Sequence, residues 1–556
     1  MNADTSERRL LITGIVGTII AALCFFTPVL AVLLGVVGLS ALLGWLDIVL
    51  FPALAFFIGL TIYAVWRRQR NTRNSLRNTT MNNCCTIPGP DQNTFDLAVI
   101  GAGSAGFSAS ITAAEAGKRV ALIGHGLIGG TCVNVGCVPS KAMIRAAEAI
   151  HGAKAARRFP GLSGAAQVDD WSALMAGKDA LVSGLRQKKY ADLLPSYEGI
   201  TYLDEGAARL VPGGVQVGSR LIRAPKVIIA TGGRPALPPI PGIKQVPTLD
   251  STSLLALETL PESLIFLGGG YIGAELAQMM ARMGVKVTMV CRSRLLPQAE
   301  PEVSEALTKV FREEGITMHC GVTYDACHLA GARAVLCIEE GGKRLELTAD
   351  HLVVTAGRSP NTEGLGLADI GVETDRRGAI VVGDDMQTTR PGIYAAGDVT
   401  NRDQFVYMAA YGAKLAARNA MGGAERYDNG AMPWVVFTDP QVAGVGLSEE
   451  QAVAAGYDVK TSVLTLDNVP RALAARDTRG VIKLVADAET DRLLGGVIVA
   501  PEGADSVQTL AMALKFGMTT KALGDTIFPY LTTVEGLKLA AQTFDKDVAK
   551  LSCCAG

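Results

Sequence analysis

Net charge is almost absent from this chain, because 52 lysine and arginine residues are balanced by 53 aspartate and glutamate residues. Proteins that bind nucleic acid usually carry a basic surface, often with aromatic residues between the basic ones. The sequence contains no basic stripe of that kind. Nucleic-acid binding is therefore the least supported class of function.

Histidine is missing where a zinc site would need it. Cys132 and Cys137 are five residues apart and no histidine follows at ligand spacing, so we do not expect a closed structural zinc site. Eleven cysteines in 556 residues do not resemble a small secreted disulfide framework either. Their clusters indicate reactive or metal-binding thiols in a reducing compartment, with inert buried cysteines as the alternative: Cys84-Cys85, Cys132/Cys137 and Cys553-Cys554. Four scattered cysteines are expected to be core residues or free thiols: Cys291, Cys320, Cys327 and Cys337.

Charged residues make up 19% of the chain, below the roughly 25% of soluble domains, because its first part has few. Residues 10–46 and 48–66 contain no charged side chain, and each run is long enough to cross a hydrocarbon core of about 30 Å. We predict a transmembrane α-helical hairpin over residues 1–66. A cleaved signal peptide is the alternative, which the second apolar run disfavours.

Arginines flank this hairpin on both outer sides. Arg8 and Arg9 precede it, five arginines lie between residues 67 and 77, and the connecting turn has only Asp47. By the positive-inside rule, both termini and everything after the hairpin face the cytoplasm of a bacterial inner membrane. Residues 67–94 are expected to be a flexible cytoplasmic linker that carries the Cys84-Cys85 pair.

A glycine-rich turn follows a buried strand at the start of the remaining chain. Residues 95–100 are predicted as the strand and residues 108–116 as helical, with the turn Gly101-x-Gly103-x-x-Gly106 between them. Such a turn holds a pyrophosphate with backbone N–H groups and the helix dipole. Residues 264–273 repeat the pattern around Gly268 and Gly270, so two dinucleotides and internal electron transfer are expected.

Neither fingerprint is followed by the acidic residue that usually binds a ribose hydroxyl. Gly124 stands at the first position, where the missing charge-assisted hydrogen bond would cost about 1.5–3 kcal/mol. Arg292 and Arg294 follow the strand predicted at 287–290 in the second unit. Guanidinium groups suit a 2′-phosphate, so we predict NADPH rather than NADH. Solvated surface arginines are the alternative.

Two further segments, Ala230-Thr231-Gly232-Gly233 and Ala395-Ala396-Gly397-Asp398-Val399, join the cysteine pair in a wider pattern. Residues 95–556 resemble the class I flavoprotein pyridine nucleotide-disulfide oxidoreductases. The resemblance implies an α/β fold with two Rossmann-like dinucleotide-binding domains plus an α+β C-terminal dimerisation domain, preceded here by the hairpin. The implied segments are 95–245 for FAD with the redox pair, 246–375 for NADPH, 376–430 for the rest of the FAD domain, and 431–556 for the dimer interface.

Roles for individual residues follow from this resemblance. It implies that Cys132 is the exchange thiol, that Cys137 faces the flavin, and that Lys141 and Glu275 pair near the flavin and the nicotinamide. The positions implied or predicted to bind the cofactors are Gly101, Gly103, Ser104, Ala105, Gly106, Gly130, Thr131, Lys141, Thr231, Gly232, Asp398, Gly268, Gly270, Tyr271, Ile272, Glu275, Arg292, Arg294 and Gly357.

The His-Pro motif with which family members reduce disulfides is missing. Those enzymes need a general acid for the leaving thiolate. This chain has Phe528-Pro529-Tyr530 instead, and tyrosine is a poor proton donor at neutral pH. The replacement argues against a disulfide substrate.

The C-terminal Cys553-Cys554 tail, with Tyr190 and Tyr530, resembles the mercuric reductases. The resemblance implies that the tail of one subunit of a homodimer captures Hg(II) and passes it to Cys132 and Cys137 of the other, beside both tyrosines. Soft cations bind thiolates tightly, so such transfer must occur by stepwise thiolate exchange. The alternatives are a disordered end with incidental cysteines or a poorly matching lipidation signal.

Roughly the first 85 residues resemble the small two-span mercuric-ion transporters of the MerF type. Those transporters have one cysteine pair in the first span and one on the cytoplasmic side, and here Cys84-Cys85 matches the second while Cys24-Phe25 replaces the first. We therefore predict a membrane-tethered, NADPH-dependent enzyme that reduces Hg(II) delivered as thiol complexes, with a periplasmic mercury-binding protein as candidate donor. The alternatives are a mercury transporter or thiol sink with an inactive flavoprotein part, and a disulfide reductase or diaphorase.

Overall fold

The structure is a computed structural model that describes residues 93–550. Outside the described residues lie the predicted hairpin, most of the linker and the C-terminal tail. These segments contain Cys24, Cys84, Cys85, Cys553 and Cys554. Within residues 93–550, the helices are too short or too polar for any of them to cross a bilayer.

The first sheet has five parallel strands. Leu97–Ile100 is central, with Lys226–Ile229 on one side and Val120–Ile123 on the other, and Ile393–Ala395 and Ile200–Leu203 form the edges. The central strand and Val120–Ile123 are buried at every residue, as parallel strands are when both faces are covered. The chain leaves this sheet after Ile229 and returns at Ile393, so the second sheet is inserted within the first unit.

The second sheet is also parallel and has five strands. Its spatial order is Thr317–Cys320, Lys286–Cys291, Ser263–Leu267, His351–Val354 and Thr248–Leu249. A three-stranded antiparallel sheet of Val322–Ala330, Arg333–Glu340 and Lys343–Ala349 belongs to the same segment.

The third five-stranded sheet is antiparallel and belongs to the C-terminal part. Its order is Pro433–Val436, Gln441–Gly446, Leu493–Ala500, Val481–Asp487 and Val459–Thr465. Two small sheets complete the strands, Ala208–Val211 with Gly214–Val217 and Arg220–Ile222, and Gly233–Pro235 with Arg358–Pro360.

The helices are Ser104–Glu115, Gly130–Asn134, Cys137–Ala155, Trp171–Arg186, Ser251–Leu254, Tyr271–Arg282, Pro301–Glu313, Val406–Ala420, Glu449–Ala454, Pro470–Ala475, Gly503–Lys515, Thr520–Asp525 and Glu535–Gln542. Short helical turns occupy Ala156–Arg158, Gln187–Ala191, Leu194–Ser196, Ile243–Gln245, Ala368–Ile370, Asp398–Thr400, Leu466–Asn468 and Val548–Lys550.

Some predicted boundaries differ from the structure. The strand predicted at 95–100 spans Leu97–Ile100, and the one predicted at 287–290 spans Lys286–Cys291. The helix predicted at 108–116 begins four residues earlier, at Ser104, because its glycine-rich first turn is itself helical. Its N–H groups therefore begin directly at the turn, where a phosphate would be held.

Two features of this fold position the site. Each glycine-rich turn follows the central strand of a parallel sheet, at the carboxyl edge where such sheets bind ligands. The helix Cys137–Ala155 of the first unit also packs against the helix Tyr271–Arg282 of the inserted unit. That contact brings the start of the first helix next to the second glycine-rich turn.

Candidate active site

The first glycine-rich turn leaves no space for side chains. Gly101 has φ +117°, and a Cβ there would lie 2.2 Å from the carbonyl oxygen of Ala230. A Cβ on Gly130 would lie 2.6 Å from Cα of Gly103. Two backbone segments therefore approach each other closely, which suits a cradle made of N–H groups.

Cys132 and Cys137 are joined by a hydrogen bond. Cys132 lies in the short helix Gly130–Asn134, and Cys137 is the first residue of the helix Cys137–Ala155. The hydrogen bond to Cys137 raises the pKa of the Cys132 thiol, and burial raises it further. The same bond lowers the pKa of Cys137 to about 7, and Lys141 lowers it too, while burial and Glu275 oppose them. Cys137 is thus the more acidic thiol of the pair, and its pKa lies closer to neutral pH than that of Cys132.

Lys141 and Glu275 form an ion pair between the two units. The Lys141 Nζ atom lies 2.6 Å from Glu275 Oε2, and it also lies 4.8 Å from the ring centre of Phe437. The other carboxylate oxygen of Glu275 accepts a hydrogen bond of 2.9 Å from the backbone N–H of Phe437. Sequence reasoning missed Phe437, because no motif signals a residue that acts through its backbone and its ring. It holds the carboxylate that in turn orients the lysine.

Tyr190 lies in a π-helical turn, Gln187–Ala191, that ends the helix Trp171–Arg186. Its hydroxyl is 3.3 Å from Ser104 Oγ, and its ring meets the Phe107 ring edge to face at 4.8 Å. A Cβ on Gly129 would lie 3.3 Å from the Tyr190 ring. Tyr190 therefore packs against the segment that leads into the helix of Cys132.

A single cavity of about 1390 Å³ connects both glycine-rich turns and the cysteine pair. Drug-sized ligand pockets usually measure about 300–1000 Å³, so this one has room for more than one such ligand. Among the predicted residues that the structure describes, Gly106, Tyr190 and Tyr530 do not line it. The predicted residues that line it are Gly101, Gly103, Ser104, Ala105, Gly130, Thr131, Cys132, Cys137, Lys141, Thr231, Gly232, Gly268, Gly270, Tyr271, Ile272, Glu275, Arg292, Arg294, Gly357 and Asp398.

Asp398 begins a short helical turn that follows the edge strand Ile393–Ala395 of the first sheet. Its Oδ2 atom lies 3.2 Å from Arg358 Nε, and Arg358 also donates to the carbonyl of Gly233 at 2.5 Å. Arg358 was not predicted as a site residue, although it directly follows Gly357. The arginine holds one edge of the carboxylate, so Asp398 can offer its other oxygen to a hydroxyl group.

The position of the missing acidic residue is filled by another side chain. A Cβ on Gly124 would lie 2.3 Å from the Tyr202 hydroxyl oxygen. Tyr202 comes from the neighbouring strand Ile200–Leu203, whose last residue pairs with Ile123. A larger residue at 124 would therefore have to displace the Tyr202 ring, and burial together with Asp204 raises the pKa of that tyrosine.

The two arginines after the second turn have different surroundings. Arg292 is exposed at the cavity. Arg294 instead donates hydrogen bonds of 3.2 and 2.7 Å to the carbonyls of Pro297 and Ala299. Both arginines line the cavity, so the predicted pair of guanidinium groups for a 2′-phosphate stays a prediction, with one terminal nitrogen of Arg294 engaged by its own loop.

The C-terminal part has a strongly apolar surface near Tyr530. Ile527 is 95% exposed, Phe516 75% and Tyr530 49%. The carboxylate of Glu535 is buried and accepts a hydrogen bond from the Leu531 N–H at 3.0 Å. Exposed apolar side chains of this size indicate a surface that another protein covers.

Comparison with known proteins identifies the fold family. Residues 95–417 match the family described as pyridine nucleotide-disulphide oxidoreductase, and residues 432–541 match its dimerisation domain. The chain belongs to the pyridine nucleotide-disulphide oxidoreductase family. Membership implies FAD and a nicotinamide dinucleotide as cofactors, and the dimerisation domain indicates a homodimer.

Several relatives in this family are named mercuric reductase. The chain is 47% identical over 464 residues to one from Staphylococcus aureus, covering 83% of this chain and 84% of that protein. It is 46% identical over 469 residues to one from Streptomyces lividans, covering 83% and 98%. For one from Shigella flexneri the values are 47% over 471 residues, covering 83% and 82%.

A solved structure of the family is similar as well. The Cu(II) complex of the HOCl-induced flavoprotein disulfide reductase RclA from Escherichia coli aligns with a TM-score of 0.71 and 30% identity, covering 81% of this chain and 100% of that one. Residues 27–71 separately match the membrane transport protein MerF, which indicates a membrane segment in that part of the chain.

Proposed function

We propose that this oxidoreductase is an NADPH-dependent mercuric reductase that converts Hg(II) to volatile Hg(0). The observation that carries the proposal is the polarised Cys132–Cys137 dithiol in the cavity between two dinucleotide turns. Identities of 46–47% to proteins named mercuric reductase support it. Thiolates are the preferred ligands of soft cations, and a dithiol can hold one in two-coordinate form.

The proton state of the pair suits exchange with thiol-bound mercury. Although the resemblance gives the exchange role to Cys132, Cys137 is the more acidic thiol, so we expect its thiolate to attack Hg(SR)₂ first and to displace one thiolate, RS⁻. Cys132 then replaces the second ligand, and its proton leaves with that ligand as RSH. The products are Cys132–S–Hg–S–Cys137, one RS⁻ and one RSH, so charge and protons balance without a further acid. Tyrosine in place of histidine at 530 therefore does not impair this reaction.

The surrounding residues keep the dithiol in its reactive form. Lys141 places a positive charge near Cys137 and favours its thiolate, and Glu275 together with Phe437 holds that lysine in position. When bound, FAD supplies two electrons that originate from the reduced nicotinamide. Neutral Hg(0) has little affinity for thiolates, so the pair releases it and can accept the next ion.

The test of this function uses the purified full-length protein loaded with FAD. We expect NADPH oxidation to be stimulated by a thiol-buffered Hg(II) salt and not by oxidised glutathione. A Cys337→Ala variant serves as the matched control, because Cys337 lies on an antiparallel strand away from the cavity. No stimulation by Hg(II) would contradict the proposal, and stimulation by oxidised glutathione instead would favour a disulfide reductase, the activity in the name of RclA.

The preference for NADPH rests on Arg292. Its exposed guanidinium lines the cavity directly after the strand Lys286–Cys291, and a charge-assisted contact from it to a 2′-phosphate would contribute about 1.5–3 kcal/mol. Replacing Arg292 by leucine should therefore raise the KM for NADPH about tenfold or more and leave the KM for NADH nearly unchanged. Equal changes for both would contradict this role.

The inter-subunit site and the thiol relay extend the same proposal. Cys553 and Cys554 of one subunit would deliver Hg(II) to the pair of the other, beside Tyr190 and Tyr530. The exposure of Tyr530 and Ile527 supports an interface at this surface. We expect Cys553→Ala/Cys554→Ala to slow turnover with thiol-complexed Hg(II) much more than with weakly liganded Hg(II). Equal slowing would exclude a capture role.

The proposed location is the bacterial inner membrane, with two spans and both termini cytoplasmic. The match of residues 27–71 to MerF supports a membrane segment, and the route for uptake would run past Cys24 to Cys84 and Cys85. Cells that produce the full-length Cys84→Ala/Cys85→Ala variant should take up less labelled Hg(II) than cells with the unaltered chain. Unchanged uptake would make the segment an anchor, and uptake without Hg(II)-dependent NADPH oxidation would favour a transporter or thiol sink.

A further inference from the structure

Two cysteines of the second sheet lie side by side. The neighbouring parallel strands Lys286–Cys291 and Thr317–Cys320 end together, and Cys291 and Cys320 are paired in register. Neighbouring strands are about 4.8 Å apart and paired residues point to the same face. The thiol of Cys291 donates a hydrogen bond to that of Cys320. Both are free thiols and Cys291 is buried, as predicted, but the sequence did not indicate that the two are neighbours.

This second dithiol adjoins the second glycine-rich turn. Cys291 is buried and contributes to the cavity wall, whereas Cys320 is half-buried. A Cβ on Gly269 would lie 2.5 Å from Cys291 Sγ, so the sulfur rests directly on the backbone of the turn. Arg292, the residue that presents its charge to the cavity, directly follows Cys291. A displacement of the Cys291 sulfur toward Gly269 should therefore move the backbone of the glycine-rich turn, where a dinucleotide is expected to bind.

The two thiols of the pair differ in acidity. The hydrogen bond from Cys291 lowers the pKa of Cys320 to about 7, Arg312 and His319 lower it further, and burial and Glu340 oppose them. The hydrogen bond and burial raise the pKa of Cys291. The register places both side chains on one face of the sheet at neighbouring positions, and paired cysteines are the ligands that soft metals prefer.

We propose that Cys291 and Cys320 form a second binding site for Hg(II), and that its occupation weakens dinucleotide binding at the adjacent turn. Hg(SR)₂ exchanges both ligands with the pair, giving Cys291–S–Hg–S–Cys320, one RS⁻ and one RSH. A metal between two sulfurs needs them farther apart than a thiol–thiol hydrogen bond does. Gly269 lies against Cys291 Sγ on one side, so a movement of the sulfur toward Gly269 displaces the backbone of the turn. The site does not require that the protein reduces Hg(II).

The test compares NADP⁺ binding with and without Hg(II). It uses the full-length, FAD-loaded protein with Cys132→Ala and Cys137→Ala, so that the redox pair can neither bind nor reduce the metal. Hg(II) buffered by excess cysteine should weaken NADP⁺ binding about tenfold or more in this protein. After the further change Cys320→Ala or Cys291→Ala, the effect should fall below about twofold. Adding Cys337→Ala instead should leave the full effect.

A second readout is the amount of Hg(II) that each protein retains after dialysis against excess cysteine. The Cys320→Ala protein should retain one Hg(II) per chain fewer than its parent. This variant changes the half-buried cysteine and leaves the buried Cys291 unaltered. Equal Hg(II) contents, or an equal effect on NADP⁺ binding, would overturn the proposal. Neither measurement depends on turnover. Both can therefore be interpreted even if the protein does not reduce Hg(II).

Discussion

The two dithiols of this chain have the same polarity but different surroundings. In each, one thiol donates a hydrogen bond and the other has a pKa of about 7. Cys132 and Cys137 lie between both dinucleotide turns, with the Lys141–Glu275 pair beside them. Cys291 and Cys320 end two strands of one sheet, and Cys291 lies against one turn. A hydrogen-bonded neighbour is enough to make a thiol reactive, and the other groups in reach decide whether it can do redox chemistry.

The largest expected difference between the pairs concerns turnover. Cys137→Ala should lower Hg(II)-dependent NADPH oxidation about a thousandfold or more, which corresponds to about 4 kcal/mol in the barrier. Cys320→Ala should not lower it, and at limiting NADPH should raise it, because the variant lacks the Hg(II) site whose occupation weakens dinucleotide binding. Initial rates with thiol-buffered Hg(II) measure both. A comparable loss in the two variants would remove the distinction between a redox pair and a binding pair.

Contact with the glycine turn is the next difference. Gly269→Ala places a Cβ against Cys291 Sγ and should destabilise the protein by about 1–3 kcal/mol through overpacking. Removing the sulfur with Cys291→Ala in the same chain should recover much of that loss. Thermal unfolding of the FAD-loaded single and double variants gives the coupling between the two sites. If the changes in the free energy of unfolding were additive, there would be no steric interaction between the Cys291 sulfur and the turn at residue 269.

Lys141 should matter for one pair only. Its charge lowers the pKa of Cys137, so Lys141→Met should raise that pKa and move the appearance of the thiolate to higher pH. At pH 7 the reduced variant should then react more slowly with iodoacetamide at Cys137, because less of the thiol is ionised at that pH. Reaction at Cys320 should keep its pH dependence. A changed pH dependence at both cysteines would indicate a general change of the fold.

The reciprocal change should have the smallest effect. Arg312 lowers the pKa of Cys320 from an exposed position, where solvent weakens its influence. Arg312→Gln should raise that pKa and slow alkylation of Cys320 at pH 7 by about twofold, with less effect at high salt. Alkylation of Cys137 should not change. If Arg312→Gln slowed alkylation of Cys320 more than Lys141→Met slows alkylation of Cys137, the claim that Lys141 acts more strongly on its cysteine than Arg312 does would be wrong.

The sequence predicted the local features of the site well. Both glycine-rich turns follow central strands, and 20 of the predicted residues lie in one cavity, because a strand, a turn and a helix are encoded by neighbouring residues. The roles assigned to these residues remain predictions. Family membership and the likeness to mercuric reductases, in contrast, are confirmed by the comparisons.

The missed features depend on contacts between distant segments. The pairing of Cys291 with Cys320 requires the order of strands in a parallel sheet, which no local pattern reveals. The contact of Tyr202 with Gly124 also depends on which strands are neighbours, so it could not be predicted from a local pattern. Arg294 was expected to bind phosphate, and only the path of its own loop shows that backbone carbonyls engage it. The charge of a side chain alone does not predict which group will be its hydrogen-bond partner.

The most direct test of the reductase is the release of elemental mercury. The purified full-length protein with FAD is given NADPH and thiol-buffered Hg(II), and the Hg(0) carried off in a gas stream is measured together with NADPH consumption. We expect equal amounts of Hg(0) released and NADPH consumed, with both lost in Cys132→Ala/Cys137→Ala. NADPH consumption without Hg(0), or Hg(0) release that persists in that variant, would contradict reduction of Hg(II) at the Cys132–Cys137 pair.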